Sequence, residues 1–171
     1  MHTAAMDFCK RARDRYLHLP AMGVEFGAQN INGSARELWP GTLWTGVDLV
    51  PGPGVDIVGE AAKVVIPVIP DIVLCTEMFE HDKNWRLSLF TMCKKVLKSG
   101  GLFVMTCATE GRAEHGTHAH TPVDSPGTLD YYKNIFAWDF HDEIDDLGCF
   151  DSYILEVNGI DKDLYFAGVK S

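Results

Sequence analysis

The sequence lacks long hydrophobic runs, paired cysteines and any excess of basic residues. No apolar stretch approaches the roughly 20 residues of a membrane-spanning helix, and residues 1–19 carry charges throughout, unlike a secretory signal. The five cysteines are widely spaced and form no Cys-x-x-Cys pair, so they predict neither a zinc site nor a redox dithiol. Their odd number indicates a reducing setting, and we expect a cytoplasmic protein without membrane association.

Acidic residues outnumber basic ones, which bears on the class of partner. With 24 Asp and Glu against 15 Lys and Arg, the formal net charge is −9, whereas binding to nucleic-acid backbones needs clustered basic residues. Lys94, Lys95 and Lys98 form a local basic stripe, which is most simply a solvated helix face. We therefore expect a small or neutral partner and no general binding of nucleic acid.

The chain has 171 residues, of which 46% are hydrophobic. This length and composition predict one domain over residues 1–171. Predicted strands cover residues 22–26, 44–49, 55–58, 71–76, 102–107, 150–157 and 164–170. Predicted helices cover residues 4–17, 34–39, 84–97, 129–136 and 139–147. This alternation is typical of an α/β fold, a doubly wound and mostly parallel sheet whose ligand lies at the carboxyl ends of the strands.

Four segments carry further expectations. The leading helix over residues 4–17 is expected to cover the sheet or part of the ligand mouth. Residues 61–68 fit either a weak helix or an irregular crossover, because their β-branched side chains favour extended structure. Residues 108–127 are rich in His, Thr, Gly and Pro and predict a functional or mobile loop. The predicted buried face of the helix over residues 84–97 consists of Leu87, Phe90, Val96 and Leu97.

Glu25 and Asp48 each close a short apolar run, and together they carry the strongest functional signal. Asp48 lies 21 positions after Gly27, the offset expected when one β-α-β unit holds a nucleoside. A carboxylate at the tip of the second strand can accept hydrogen bonds from both ribose hydroxyls, and a glycine turn after the first strand lets the backbone approach the ligand. The pair predicts an enzyme with a nucleoside cofactor.

Further signals follow the third and fourth predicted strands, at residues 59–61 and 76–81. Their order resembles that of the class I S-adenosylmethionine-dependent methyltransferases over residues 24–105. The resemblance is strongest in residues 46–48 (GVD), 71–81 (DIVLCTEMFEH) and 96–102 (VLKSGGL). In the last of these, Ser99 stands where the family usually has proline.

The resemblance implies a seven-stranded Rossmann-like sheet with its last strand antiparallel, and S-adenosylmethionine as the cofactor that becomes S-adenosylhomocysteine. It also implies a leading helix (1–20), a cofactor-binding half (22–107), and an acceptor loop with C-terminal strands (108–171). Asp48 would hold the ribose, and Glu25 would anchor the glycine loop and the methionine amino end. The other implied cofactor-binding residues are Gly27, Ala28 and Gly33 in the loop, Leu49, Glu60 and Ala61 around the adenine, and Thr76 and Glu77 at the floor.

The glycine loop, residues 27–33, departs from the family pattern because only Gly27 and Gly33 remain of its glycines. Asn30 and Asn32 can adopt left-handed backbone angles, and their amides can reach a ligand carboxylate. A pyrophosphate needs the missing central glycines, so an NAD-dependent oxidoreductase is the weaker alternative. A non-catalytic accessory subunit that binds S-adenosylmethionine is the other alternative, because it also fits the altered loop.

Histidines supply the candidate catalytic residues. His81 follows the fourth strand and could serve as a general base, because imidazole titrates near neutral pH; packing or capping is an equally good interpretation. His115 belongs to a His-x-x-His-x-His cluster with His118 and His120. Contact with an acceptor is favoured over metal binding there, since no cysteine or carboxylate spacing supports a metal, and we predict no metal ion. Candidates for lining an acceptor pocket are Tyr131, Tyr132 and Trp138.

Missing motifs narrow the expected acceptor. After the fourth strand there is no Asn/Asp-Pro-Pro-Tyr/Phe segment, the mark of methylation on base amines, and the chain has no Pro-Cys pair for attack on a pyrimidine carbon. We expect transfer to oxygen or nitrogen of a small or sugar-like molecule. Because the usual inserted acceptor cap is missing, the leading helix, the loop over residues 108–127 or the second subunit of a homodimer would close the site.

Overall fold

The computed structural model describes residues 2–16 and 19–171, which are built around a seven-stranded sheet. The strands are β1 (Met22–Phe26), β2 (Leu43–Asp48), β3 (Ile57–Val58), β4 (Ile72–Thr76), β5 (Leu102–Ala108), β6 (Phe150–Asn158) and β7 (Asp163–Lys170). Their order across the sheet is β3-β2-β1-β4-β5-β7-β6. Strands β1 to β5 pair in parallel, and β7 pairs antiparallel with both β5 and β6. The predicted doubly wound α/β sheet with an antiparallel last strand is confirmed.

Helices cover both faces of this sheet. They are α1 (Thr3–Tyr16), α2 (Trp85–Phe90), which continues as a π-helical segment over Thr91–Val96, and α3 (Ala137–Leu147). Short 3-10 turns occupy Ala35–Leu38, Phe79–His81 and Pro122–Asp124. The predicted leading helix is confirmed up to Tyr16, and its expected last residue, Leu17, lies outside the described residues. Within residues 2–16 and 19–171, no helix combines the length and apolar character needed to cross a bilayer.

Side-chain alternation along the central strands builds two cores. On β5, Leu102 and Val104 belong to the core under α1, where Phe8 stacks on Tyr165 with ring centroids 4.9 Å apart. Phe103, between them, belongs to the core shared with α2 and α3. Because helices cover both faces, β4 and β5 are buried along their whole length, as their nearly continuous apolar sequence predicts.

The helix predicted over residues 84–97 forms, and of its predicted buried face Val96 and Leu97 are confirmed, whereas Leu87 and Phe90 are wrong. Leu87 is 48% exposed and Phe90 is 40% exposed. The residues that pack into the core are Trp85, Leu89, Met92 and Cys93, followed by Val96 and Leu97. The first four recur at one helical spacing, and the helix is apolar on two sides, so periodicity alone does not select which side meets the sheet. Val96 and Leu97, at the end of the π-helical segment, are buried as well.

The helix predicted over residues 129–136 does not form. Backbone N–H groups in this stretch donate to distant elements, as Lys133 does to the Glu80 carbonyl at 2.8 Å and Ile135 does to the Ala108 carbonyl at 3.0 Å. A helix would need those donors for its own carbonyls, so tertiary hydrogen bonds hold the segment in an irregular, non-helical conformation. Residues 61–68 are irregular, in agreement with the crossover alternative.

Candidate functional site

A cleft of about 760 Å³ opens at the carboxyl ends of β1, β2 and β4. These strands are parallel neighbours, so the segments that follow them meet at one edge of the sheet. The predicted catalytic residues His81 and His115 line this cleft. So do all the predicted cofactor-binding residues, namely Glu25, Gly27, Ala28, Gly33, Asp48, Leu49, Glu60, Ala61, Thr76 and Glu77. The structure therefore gathers the predicted residues into one space.

Glu25, near the end of β1, is only 2% exposed and forms a buried ion pair. Its Oε2 lies 2.6 Å from Nε of Arg36, and the hydroxyl of Ser34 donates to the carboxylate at 3.2 Å. Burial raises the pKa of the Glu25 carboxyl, while the charge of Arg36 and the Ser34 hydrogen bond oppose that rise. The carboxylate thus ties β1 to the segment that follows the glycine loop.

The glycine loop leaves β1 at Gly27, whose φ is 73°. A Cβ at this position would lie 3.0 Å from the Cβ of Met78, so the backbone angle and the packing both favour glycine. The N–H groups of Gly27 and Ala28 donate to the carbonyl of Val47 at 3.0 and 3.1 Å. These bonds join the start of the loop to the end of β2.

In the rest of the loop, the two asparagines do not adopt the left-handed backbone conformation. Neither Asn30 nor Asn32 has positive φ, although either residue type could have taken it. Instead, Oδ1 of Asn30 accepts a hydrogen bond from the N–H of Gly33 at 2.9 Å, a side-chain turn that asparagine favours. This hydrogen bond shows how the loop closes without the central glycines of the family pattern.

Asp48 accepts hydrogen bonds from the backbone of the loop and also lines the cleft. Its Oδ2 accepts from the N–H of Gln29 at 2.9 Å, and its Oδ1 accepts from the N–H of Val50 at 3.4 Å. A carboxylate offers about four lone-pair sites, so acceptor capacity remains for a ligand. On the same rim, Leu49 is 42% exposed, and Glu60 pairs with Lys63 at 2.7 Å.

The floor of the cleft is formed at the end of β4. Glu77 has a φ of 54°, an uncommon value for a residue other than glycine. Its N–H donates to the Thr106 carbonyl, and its Oε1 accepts from the Thr106 hydroxyl, both at 2.7 Å. The two bonds with β5 hold this backbone conformation and fix the Glu77 carboxylate beside the cleft.

At the opposite end of the cleft, His81 and His115 meet the ring of Tyr132. The two imidazole centroids are 5.1 Å apart, and they lie 5.4 and 4.9 Å from the tyrosine ring. Gly116 makes the approach possible, because a Cβ there would lie 2.7 Å from Cε1 of His81. The structure brings together two histidines that are 34 positions apart in the sequence.

Glu80 is a polar residue of this site that the sequence interpretation missed. Its side chain is fully buried, and its Oε1 accepts from the N–H of Ala108 at 3.1 Å. Among the described residues, its Oε2 has no hydrogen-bond partner. Burial raises the pKa of Glu80 well above its usual value, and the charge of Glu77 adds to the rise. The only sequence signal was its place beside His81, since an acid that begins a helix is usually solvated.

His81 is less basic than the sequence suggested. Burial and the neighbouring His115 lower its pKa from 6.5 to about 4. The imidazole is therefore neutral at pH 7, with a lone pair on one nitrogen. Because its pKa is low, His81 is a weaker proton acceptor than an ordinary histidine and is less suited to act as a general base.

This low pKa predicts a pH-dependent contribution of His81 to stability. Between pH 6.5 and 4 the unfolded chain binds a proton that the folded chain does not, so His81 lowers the free energy of unfolding as the pH falls. The loss reaches up to about 3 kcal/mol near pH 4. Urea unfolding of wild type and His81→Gln at pH 7.0, 5.5 and 4.5, with chelator present, should show the stability advantage of wild type shrinking through this window. The raised pKa values of Glu25 and Glu80 act in the opposite direction in both proteins, and a constant difference would contradict the assignment.

Of the other residues predicted to contact an acceptor, some line the cleft and others do not. Tyr131 lines the cleft, with the Lys83 ammonium 5.5 Å from its ring centroid. His118 pairs instead with exposed Asp130 at 3.4 Å, and neither it nor His120 joins the His81 and His115 group. Trp138 is 63% exposed, lies against Phe136 and does not line the cleft, so its predicted place in the pocket is wrong.

A second polar cluster beside the cleft was also missed. Asp163, at the start of β7, is fully buried and lies 2.6 Å from Nε2 of His2 and 3.0 Å from Nη1 of Arg112. The hydroxyl of Tyr165 donates to it at 3.0 Å. His2 and Arg112 line the cleft. The cluster joins the residue before α1, the loop after β5, and strand β7, and no local pattern in the sequence connects them.

Known structures similar to this one are methyltransferases. The chain superimposes on the Burkholderia thailandensis 1,6-didemethyltoxoflavin-N1-methyltransferase with a TM-score of 0.68 and 17% identity, covering 98% of this chain and 79% of that one. For human N-acetylserotonin methyltransferase the TM-score is 0.61 at 14% identity, with 97% and 51% covered. For the N-methyltransferase NodS from Bradyrhizobium japonicum WM9 it is 0.61 at 13% identity, with 98% and 85% covered.

These similarities define the fold. No family model and no curated protein matches the sequence. The chain spans about half the length of the human enzyme and most of the two bacterial ones. It has the fold of the class I S-adenosylmethionine-dependent methyltransferases, with the cleft at the position where that fold takes its ligand.

Proposed function

We propose that the protein is a methyltransferase that uses S-adenosylmethionine and transfers its methyl group to oxygen or nitrogen of a small-molecule or sugar-like acceptor. The observation that carries this proposal is the convergence of Glu25 and Asp48, from the ends of neighbouring parallel strands, on one cleft. The similar structures include complexes with S-adenosylmethionine or S-adenosylhomocysteine, which supports the choice of cofactor.

The cofactor would lie along the glycine loop. Asp48 would accept hydrogen bonds from the ribose hydroxyls with the lone pairs that Gln29 and Val50 leave free. Glu25 is fully engaged with Arg36 and Ser34, so its role is to anchor the loop that meets the methionine end. Adenine would lie near Leu49, Glu60 and Ala61, and Thr76 and Glu77 would form the floor. Gly27, Ala28 and Gly33 would give the cofactor its backbone path.

Methyl transfer needs alignment more than covalent assistance. The acceptor lone pair forms a bond to the methyl carbon while the carbon–sulfur bond breaks and its electron pair stays on sulfur, so the sulfonium becomes neutral. Holding the reacting atoms in line while water is excluded supplies most of the acceleration. His81 and His115 line the same cleft, and their role is to hold the acceptor in this alignment.

Thermal unfolding with different cofactors tests this function. At about 100 times its dissociation constant, a ligand that binds only the folded chain adds about 2.7 kcal/mol of stability. We expect S-adenosylmethionine and S-adenosylhomocysteine to stabilise the protein and NAD to leave it unchanged. Stabilisation by NAD alone would instead support the oxidoreductase alternative. If S-adenosylmethionine binds but the protein methylates nothing in an extract of its host, the accessory-subunit alternative is supported.

A further inference from the structure

Among the described residues, two buried side chains beside the cleft leave polar atoms without hydrogen-bond partners. Glu80 is fully buried and His81 is 7% exposed. Within the part of the chain that the structure describes, neither Oε2 of Glu80 nor Nδ1 of His81 has a hydrogen-bond partner. One ligand atom from each of Glu80, His81 and His115 lies within 4.8 Å of the other two. Buried polar atoms are normally satisfied, so this arrangement calls for a missing partner.

The remaining polar atoms of these side chains are already held in place. Oε1 of Glu80 accepts from the N–H of Ala108, which directs Oε2 away from β5. Nδ1 of His115 lies 3.1 Å from the Ala113 carbonyl, so that nitrogen carries the proton and Nε2 keeps its lone pair. Nδ1 of His81 is buried without a partner among the described residues, so its lone pair is available to a ligand when Nε2 carries the ring proton.

This pattern is the one found around metal ions. A metal-binding histidine usually donates its second ring N–H to a carbonyl or carboxylate, which fixes its tautomer and orientation. We propose that Glu80, His81 and His115 bind a divalent transition-metal ion at the acceptor end of the cleft. The proposal replaces the sequence-based expectation that no metal is bound. That expectation considered the cluster of His115, His118 and His120 and found no cysteine or carboxylate spacing to support a metal there.

The ligand set selects the class of metal. Two imidazoles and one carboxylate suit zinc, cobalt, manganese or iron, whereas calcium and magnesium prefer oxygen ligands throughout. Metal–ligand distances are about 2.0 to 2.2 Å, so two donor atoms on one ion lie at most about 4.4 Å apart. The three donor atoms already lie within 4.8 Å of one another, so binding an ion requires only a small adjustment. His115 is the residue that can move, because it lies on the loop after β5 while Glu80 and His81 are in the 3-10 turn after β4.

A second group of carboxylates and a histidine lies nearby, but it does not form a candidate metal site. His2, Glu77 and Asp163 also lie within 4.8 Å of one another. However, Asp163 already accepts from Tyr165 and pairs with His2 and Arg112. A resident guanidinium repels a further cation, so this group is a satisfied ion cluster.

The metal site adds a role for a bound ion in methyl transfer, and this role rests on the proposed methyltransferase function. Three protein ligands leave coordination positions open, and two of the three, His81 and His115, line the cleft. The acceptor would then be a hydroxyl compound whose oxygen binds the cation, which lowers the pKa of that hydroxyl. The hydroxyl proton goes to water, the oxygen bonds to the methyl carbon, and the carbon–sulfur bond breaks with its electron pair on sulfur.

Cobalt binding tests the site without any reaction. The full chain, freed of metal and of any histidine tag, is titrated with Co²⁺ while visible absorption and thermal unfolding are recorded, with Ca²⁺ as the control cation. We expect one Co²⁺ per chain, a ligand-field spectrum and a higher unfolding temperature. Glu80→Gln and His115→Gln should each weaken Co²⁺ binding at least tenfold. His118→Gln, on the same loop but outside the group, should bind as wild type does.

The outcomes separate the metal site from the methyltransferase function. An absence of Co²⁺ binding in wild type, or binding that both Glu80→Gln and His115→Gln retain, would overturn the metal site. Stabilisation of metal-free protein by S-adenosylmethionine is measured separately. If Co²⁺ binds as expected and S-adenosylmethionine does not, the metal site stands and the methyltransferase proposal fails. If both bind, methylation of a hydroxyl acceptor that stops with chelator and returns with Co²⁺ confirms the role of the metal, and methylation indifferent to metal overturns that role.

Discussion

Asp48→Ala is expected to abolish the stabilisation that S-adenosylmethionine confers on the protein. The substitution removes the ribose acceptor and also the partner of the Gln29 N–H, which Oδ2 of Asp48 accepts at 2.9 Å. Both losses act at the glycine loop, so the gain of about 2.7 kcal/mol at saturating ligand should fall to near zero. Thermal unfolding with and without cofactor, or direct calorimetric titration, measures the effect.

Two companion variants make this result specific. Asp48→Asn keeps an oxygen for the Gln29 N–H but loses the charge and part of the acceptor capacity, so it should retain the loop and bind more weakly. Asp151→Ala removes an exposed acid from β6, far along the sheet order from β2, and should leave cofactor binding intact. A full cofactor response in Asp48→Ala would show that the ribose assignment is wrong.

Arg36→Met should destabilise the protein more than any surface substitution. It leaves the carboxylate of Glu25 buried without its ion-pair partner at 2.6 Å, and breaking a buried pair in this way costs about 3 kcal/mol or more. Arg36 also donates to the Gly54 carbonyl at 3.0 Å, a bond that methionine cannot make. Urea unfolding at pH 7 gives the change in the free energy of unfolding.

The double variant Glu25→Gln/Arg36→Met distinguishes an unpaired charge from lost packing. Because glutamine carries no charge, the double variant should recover part of the stability that Arg36→Met loses. Arg11→Met provides the matched control, since Arg11 pairs with Glu156 at an exposed site where ion pairs contribute about 0 to 1 kcal/mol. Equal losses from Arg36→Met and Arg11→Met would show that the Glu25 pair contributes little.

Interpretation of the sequence was sufficient for the sheet and for the residues that meet where β1, β2 and β4 end. Strands buried on both faces read as apolar runs, and β1 and β4 lie within one residue of their predicted bounds. The offset between Gly27 and Asp48 predicts two parallel strands joined by a crossover. In the structure this crossover holds the 3-10 turn Ala35–Leu38, and the parallel pairing of β1 with β2 brings the two residues to the same edge of the sheet. Local patterns and chain order carry this part of the information.

The acceptor end was less predictable because long-range contacts define it. Glu80 is buried by its bond to the N–H of Ala108, 28 positions away, and residues near Lys133 are held in a non-helical conformation by the Glu80 carbonyl. Neither contact leaves a periodic trace in the sequence. The face of α2 was misassigned for a related reason, because an apolar residue such as Leu87 looks the same in the sequence whether it meets the core or the solvent.

The position of β7 has a consequence for how the chain reaches this structure. β7 lies between β5 and β6 and pairs antiparallel with both, and Leu102 is joined to Val169, about 67 residues further along. Closing so large a loop costs entropy before the pairing can compensate for it, so assembly of this half should be slow compared with local helix formation. A chain that stopped before residue 163 would leave the adjoining edges of β5 and β6 open, and open strand edges are where unrelated chains aggregate.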